Sequence, residues 1–146
     1  MRTTTVGLVV LTAFAVAPAF GADCSPTPGM TAGTHQKENM PNKVNISKGV
    51  VVSGRILSAR DCKPISKARV QHWQAGESGE YEDRLRAYLL ADDQGRYRFE
   101  TEWPNLQIPH IHFRVHAPGH RGLDTQWVGG ERAKQINFDI VLAPER

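Results

Sequence analysis

The chain has 146 residues, of which 23% are charged, and a formal net charge of +3 at pH 7. This length fits a single domain with one modest hydrophobic core. The Lys and Arg residues form no long cluster, so the mild positive charge gives no reason to expect a nucleic-acid partner.

The first 22 residues have the pattern of a secretory signal peptide. Arg2 forms a short positive region, residues 6–20 form an apolar stretch, and Gly21 and Ala22 are small residues suited to cleavage. The apolar stretch is too short for a comfortable membrane span. We therefore expect an exported protein, periplasmic or secreted, without stable membrane insertion.

Two cysteines, Cys24 and Cys62, follow this segment. An even number of cysteines in an exported chain suggests a disulfide, which would tie the N-terminal part of the chain to the domain. We predict an extended arm over residues 23–48, because its Pro, Gly, Thr, Ser and Asn residues disfavour a helix or a long strand. His35 lies in this arm and is expected to be solvated, so it is not assigned to a site.

From residue 49 to residue 146 the pattern is that of an all-β domain. Runs of β-branched and aromatic residues between turn signals predict seven short strands, at 50–57, 68–73, 85–90, 96–100, 110–116, 125–128 and 136–142. No amphipathic helix pattern occurs in this region, so a β-sandwich is expected. His72 falls in the second strand and is expected to pack within the sheet rather than bind a metal.

The stretch Pro109-His110-Ile111-His112 carries the strongest local signal for chemistry. Alternate residues of a strand share a face, so His110 and His112 point to one side with backbones about 6–7 Å apart. Neutral imidazole is a metal ligand, and a bound metal would relieve the cost of placing two such rings together. On this pattern alone, a strand with two exposed histidines is the alternative.

Short motifs in a fixed order resemble the secreted intradiol ring-cleavage dioxygenases. They are CSPTP at 24–28, GRI at 54–56, DCKPI at 61–65, ARVQHWQA at 68–75, GEY at 79–81, DDQGRYRFET at 92–101, PHIHF at 109–113, APGH at 117–120 and TQ at 125–126. The set covers nearly the whole chain after the signal segment. The resemblance implies the immunoglobulin-like β-sandwich of the catechol and protocatechuate dioxygenases.

The resemblance also implies a metal site and a substrate class. That family holds non-haem Fe(III) with two tyrosinates and two histidines, and it uses O2 to cleave a catechol ring between the two hydroxyl-bearing carbons. By position, Tyr81 matches one metal-ligating tyrosine, His110 and His112 match the two histidines, and Gln126 matches a glutamine near the substrate pocket. We therefore expect Fe(III), with Cu(II) as the alternative metal, and a small aromatic substrate or ligand.

One departure from the family pattern bears on catalysis. The family places its second tyrosine three residues after the proline that matches Pro104, and an arginine three residues before the first histidine. Both positions fall on Gln107, because the loop between Pro104 and His110 is short. Gln107 is thus a candidate site residue without charge. The sequence leaves two functions open: an intradiol-type dioxygenase, and a non-catalytic sandwich of that family that retains a metal or aromatic-ligand site. It carries no signal for an oligomeric state.

Overall fold

The structure is a computed structural model that describes residues 24–146. The predicted signal peptide, residues 1–22, lies outside the described residues. Eight strands follow in chain order: β1 (Val50–Ser58), β2 (Arg69–Ala75), β3 (Tyr81–Leu90), β4 (Arg96–Thr101), β5 (His110–His116), β6 (Leu123–Val128), β7 (Gln135–Asn137) and β8 (Ile140–Leu142). Residues 24–146 contain no helix, and thus none that could span a membrane.

The strands form two sheets, and the predicted all-β sandwich is confirmed. One sheet has the order β4-β1-β7, with β8 also paired to β1, and the other has the order β3-β2-β5-β6. Alternate residues of β1 and β4 point inward, among them Val52, Ile56 and Phe99, and meet Ile111 and Phe113 of β5. The rings of Phe99 and Phe113 lie 6.2 Å apart at the centre of this core.

His72 lies inside the core, as expected for a packing residue. It is fully buried, and its ring stacks on Phe99 with 3.7 Å between ring centroids. Burial lowers its pKa to about 3, because the charged imidazolium would have no water around it. His72 is therefore a neutral core residue at physiological pH.

The last predicted strand, 136–142, is divided in two. β7 pairs in parallel with Val51–Ser53, and β8 pairs in parallel with Ile56–Ser58. Between them, the Phe138 carbonyl lies so close to Gly54 that a Cβ there would overlap it. The carboxylate of Asp139 then accepts a hydrogen bond from the Arg55 backbone N–H, in place of a strand carbonyl (2.8 Å).

The N-terminal arm, residues 24–48, starts beside β6, crosses the outer face of the second sheet at Gly33 and His35, and then bonds to Tyr88 of β3 and Glu100 of β4. A disulfide joins Cys24 to Cys62, which confirms the predicted pairing. The Met30 N–H donates to the Asp124 carbonyl at 2.7 Å, and the Thr125 hydroxyl donates to the Pro28 carbonyl at 2.9 Å. The arm therefore covers a face that would otherwise be open to water.

Candidate metal centre

The candidate centre lies on the arm-covered face, at one end of the second sheet. Trp73 of β2 is opposite Arg86 of β3 on one side and His112 of β5 on the other, and His112 is opposite Gln126 of β6. Directly opposed residues in antiparallel strands share a face. These four side chains thus form one row across the sheet, with the Trp73 and His112 rings stacked 5.2 Å apart.

Tyr81 reaches this row because the pairing of β2 with β3 is irregular. The register shifts between Trp73 and Ala75, so Tyr81, the first residue of β3, is opposite Ala75. Such irregularities re-aim side chains at the end of a strand. The Tyr81 hydroxyl oxygen lies 3.0 Å from His110 Nε2 and 3.1 Å from His112 Nε2.

The histidine side chains are oriented with their Nε2 atoms toward Tyr81. The His110 Nδ1–H donates to the Ile108 carbonyl at 2.8 Å, which leaves the Nε2 lone pair free for a proton donor or a metal. The rings of His110 and His112 are perpendicular, with centroids 4.9 Å apart. The structure therefore brings together three of the predicted site residues, Tyr81, His110 and His112.

Burial keeps the second histidine neutral. The pKa of His112 is lowered to about 4, first because the ring is buried and then because His110 and His35 lie close to it. Burial also raises the pKa of the Tyr81 phenol above its ordinary value. Without a cation, the site thus places a neutral Tyr81 phenol against the neutral imidazole of His112.

The arrangement of the three donor atoms suits a shared metal ion better than it suits hydrogen bonds among the three side chains. Ligand atoms at about 2 Å from a common ion lie about 3 Å apart, as these do. One phenolic proton can bond only one of the two Nε2 atoms, whereas a cation would accept lone pairs from all three donors. Within residues 24–146, His, Cys, Asp and Glu alone form no metal-binding group of three, so the site depends on Tyr81.

The two glutamines predicted at the site have different positions. Gln126 is half-buried beside His112 in the row across the sheet. Gln107 is exposed in the short connection before β5, and among the described residues no hydrogen bond joins it to Tyr81, His110 or His112. Gln126 is therefore adjacent to the donors, while Gln107 lies in the loop that precedes them.

The sequence interpretation missed His35. Its ring lies parallel to that of Tyr81, with centroids 4.0 Å apart and an interplanar angle of 2°. His35 is exposed, as expected, but the expectation that it lies outside the site was wrong. An isolated histidine in an irregular arm has no local signal for this contact, because the position depends on how the arm crosses the sheet.

Comparisons with known proteins agree with this fold. The family model described as Dioxygenase matches residues 17–109, more than half of the chain. The catechol 1,2-dioxygenase of Acinetobacter baylyi is 30% identical over an alignment of 108 residues that covers 53% of this chain and 34% of that protein. That of Candida albicans is 30% identical over an alignment of 122 residues that covers 63% of this chain and 40% of that protein. The chain thus spans well under half the length of these relatives.

Solved structures share this fold. The dioxygenase domain of a dioxygenase carbohydrate-binding protein fusion from Streptomyces sp. SirexAA-E has a TM-score of 0.75 at 23% identity, covering 83% of this chain and all of that one. The intradiol ring-cleavage dioxygenase from Tetranychus urticae has a TM-score of 0.65 at 27% identity, covering 70% and 64%. The chain belongs to the intradiol ring-cleavage dioxygenase family.

Proposed function

We propose that this protein is an exported non-haem iron dioxygenase that cleaves a catechol-like ring with O2. The observation that carries the proposal is the convergence of the Tyr81 oxygen with both histidine Nε2 atoms, at 3.0 and 3.1 Å. A phenolate oxygen and two imidazoles suit iron, because the hard anionic oxygen favours the ferric state. The related catechol 1,2-dioxygenases support the substrate class.

Each residue of the site has a distinct part in this proposal. Tyr81, His110 and His112 would hold the metal, which when bound makes the aromatic ring reactive toward O2. The Ile108 carbonyl fixes the orientation of His110 through its Nδ1–H. Gln126, beside His112, has an amide that can donate to or accept from a substrate hydroxyl.

The place of action is proposed to be the periplasm or the exterior of the cell. The Cys24–Cys62 disulfide supports this, because such bonds persist in oxidising compartments. The binding partner of the site would be a small aromatic molecule, as substrate or ligand.

The position of Gln107 favours a second candidate, a non-catalytic metal- or aromatic-ligand-binding sandwich. Gln107 stands where the family pattern has a tyrosinate and an arginine, and its neutral amide supplies neither charge. With one phenolate instead of two, Fe(III) is less strongly favoured over Cu(II). Loss of catalysis with retention of a metal would follow from this change.

Turnover of catechol by wild type and Gln107→Tyr distinguishes the two candidates. We expect slow O2-dependent ring cleavage by the wild type and, where the new phenolate reaches the ion, an increase on the order of tenfold from added charge stabilisation. Gln135→Tyr, at an exposed position in β7 of the other sheet, is the matched control and should change nothing.

Oxygen uptake and product absorbance measure this reaction. Iron-loaded wild type and Gln107→Tyr that both consume no O2 with catechol would contradict the enzymatic proposal and support the binding protein. Brisk cleavage by the wild type would contradict the argument that Gln107 limits the rate.

A further inference from the structure

The arm passes directly over two of the three donor residues. His35 stacks face to face on the Tyr81 ring, with centroids 4.0 Å apart. Two residues earlier, Gly33 has φ +72°, and a Cβ there would lie 3.7 Å from His112 Cε1. Because this backbone conformation favours glycine, the chain can turn here against the imidazole without a side chain between them.

Strand β3 holds the arm at His35 and again two residues further on. The Arg86 side chain, only 5% exposed, donates from Nη1 to the His35 carbonyl oxygen. Two residues beyond His35, the Lys37 ammonium lies 2.6 Å from the carboxylate of Asp83, which is itself two residues after Tyr81. His35 is thus placed by one buried and one exposed contact to the strand that carries Tyr81.

The second sheet alone leaves the Tyr81 ring without this support. Tyr81 is the first residue of β3 and lies beside an irregular pairing with β2. Regular strand pairing therefore holds its backbone only on the C-terminal side. The connection between Pro104 and His110 is short and bonds to the turn before β3. The Asn105 backbone N–H donates to the Gly76 carbonyl, and the Asn105 side-chain amide donates to the Glu77 carbonyl. The arm therefore supplies the flat surface against which the phenol rests.

We propose that His35 is a positioning residue of the metal centre, an inference that rests on the proposed function. Its ring holds the Tyr81 phenol so that the oxygen faces both Nε2 atoms, and it covers one face of that phenol from water. Parallel, offset stacking is one of the favoured arrangements of two aromatic rings. The flat ring of His35, rather than its nitrogen atoms, positions the phenol.

His35→Ala and His35→Phe separate the ring from the nitrogens. We expect His35→Ala to lose iron to a chelator roughly three- to tenfold faster, the range that corresponds to loss of one aromatic stacking contact. It should also shift the visible tyrosinate-to-iron absorption band. His35→Phe keeps a flat ring and should restore both the rate of iron loss and the position of the band. The control His116→Ala, which changes an exposed histidine of β5, should leave both unchanged.

A second readout does not require metal. In the metal-free protein, NMR should show the Tyr81 ring protons shifted by the stacked imidazole, and this shift should disappear in His35→Ala and return in His35→Phe. Unchanged resonances and unchanged iron loss in His35→Ala would overturn the proposal, as would a His35→Phe variant that behaves like His35→Ala. A wild type that binds no metal would contradict the proposed function, while the resonances would still test the contact.

Discussion

His72 shows how a single side chain sets the response of this fold to acid. Its ring is buried against Phe99, and among the described residues neither of its ring nitrogens has a hydrogen-bond partner. The folded protein therefore holds this histidine neutral, with a pKa of about 3, while the unfolded chain protonates it near the ordinary value of 6.5. Below that value the unfolded state binds more protons, so the folded state loses stability as the pH falls.

His72→Leu should reduce this acid sensitivity. Between pH 7 and pH 4.5 the wild type should lose about 2 to 3 kcal/mol of unfolding free energy through His72, and the variant should not show this part of the loss. His112, whose pKa is also lowered, contributes in the same direction and accounts for part of the remaining slope.

Urea unfolding at several pH values measures the effect. His116→Leu is the control, because His116 is exposed and should not change the slope. Equal pH dependence in the wild type and His72→Leu would mean that His72 is protonated in the folded protein.

At the scale of elements, the arm explains why an outward-facing row of residues is buried. Trp73, Arg86 and His112 point away from the sandwich core, yet each is at most 8% exposed. All seven residues of β2 are buried or half-buried, because the core covers one face and the arm covers the other. The arm is thus a third layer over the candidate metal centre.

The disulfide should stabilise this layer more than it stabilises the core. It closes a separation of 38 residues, and loss of such a link costs up to roughly 4 kcal/mol in the chain-entropy model. In a Cys24→Ser, Cys62→Ser double variant, we expect the arm to open more often than the sandwich unfolds.

Hydrogen exchange measures this difference. The Met30 amide, bonded to the Asp124 carbonyl, should lose more protection than the Phe113 amide in the centre of the second sheet. An equal loss at both amides would show that the arm and the sandwich open as one unit, contrary to this expectation.

The strands could be predicted from sequence where apolar and polar residues alternate clearly. Where this alternation is weak, their bounds could not be predicted. Residues 96–100 and 110–116 alternate apolar and polar side chains, and both correspond to strands. β3 begins at Tyr81 rather than at residue 85, because its first four residues are half-buried or exposed and give no apolar signal. The division of 136–142 depends on the approach of Phe138 to Gly54, which no pattern within 136–142 contains.

At the scale of the whole molecule, the site residues come from distant parts of the chain. The two histidines share a strand, so their common face followed from spacing, and Tyr81 came from a family resemblance that the comparisons confirm. The stacking of His35 on Tyr81 spans 46 residues and depends on the path of the arm. Long-range contacts of irregular segments leave no periodic signal, so this part of the site required the structure.

The central claim is that Tyr81, His110 and His112 bind one iron ion together. Iron analysis of the protein purified from its native source, together with its visible spectrum, tests this claim most directly. We predict about one iron per chain and a visible tyrosinate band in the wild type and in His116→Ala. His110→Ala and His112→Ala should lose most of the iron, and Tyr81→Phe should lose the band. Iron retained equally in all these variants, or an iron-loaded wild type without colour, would contradict the claim.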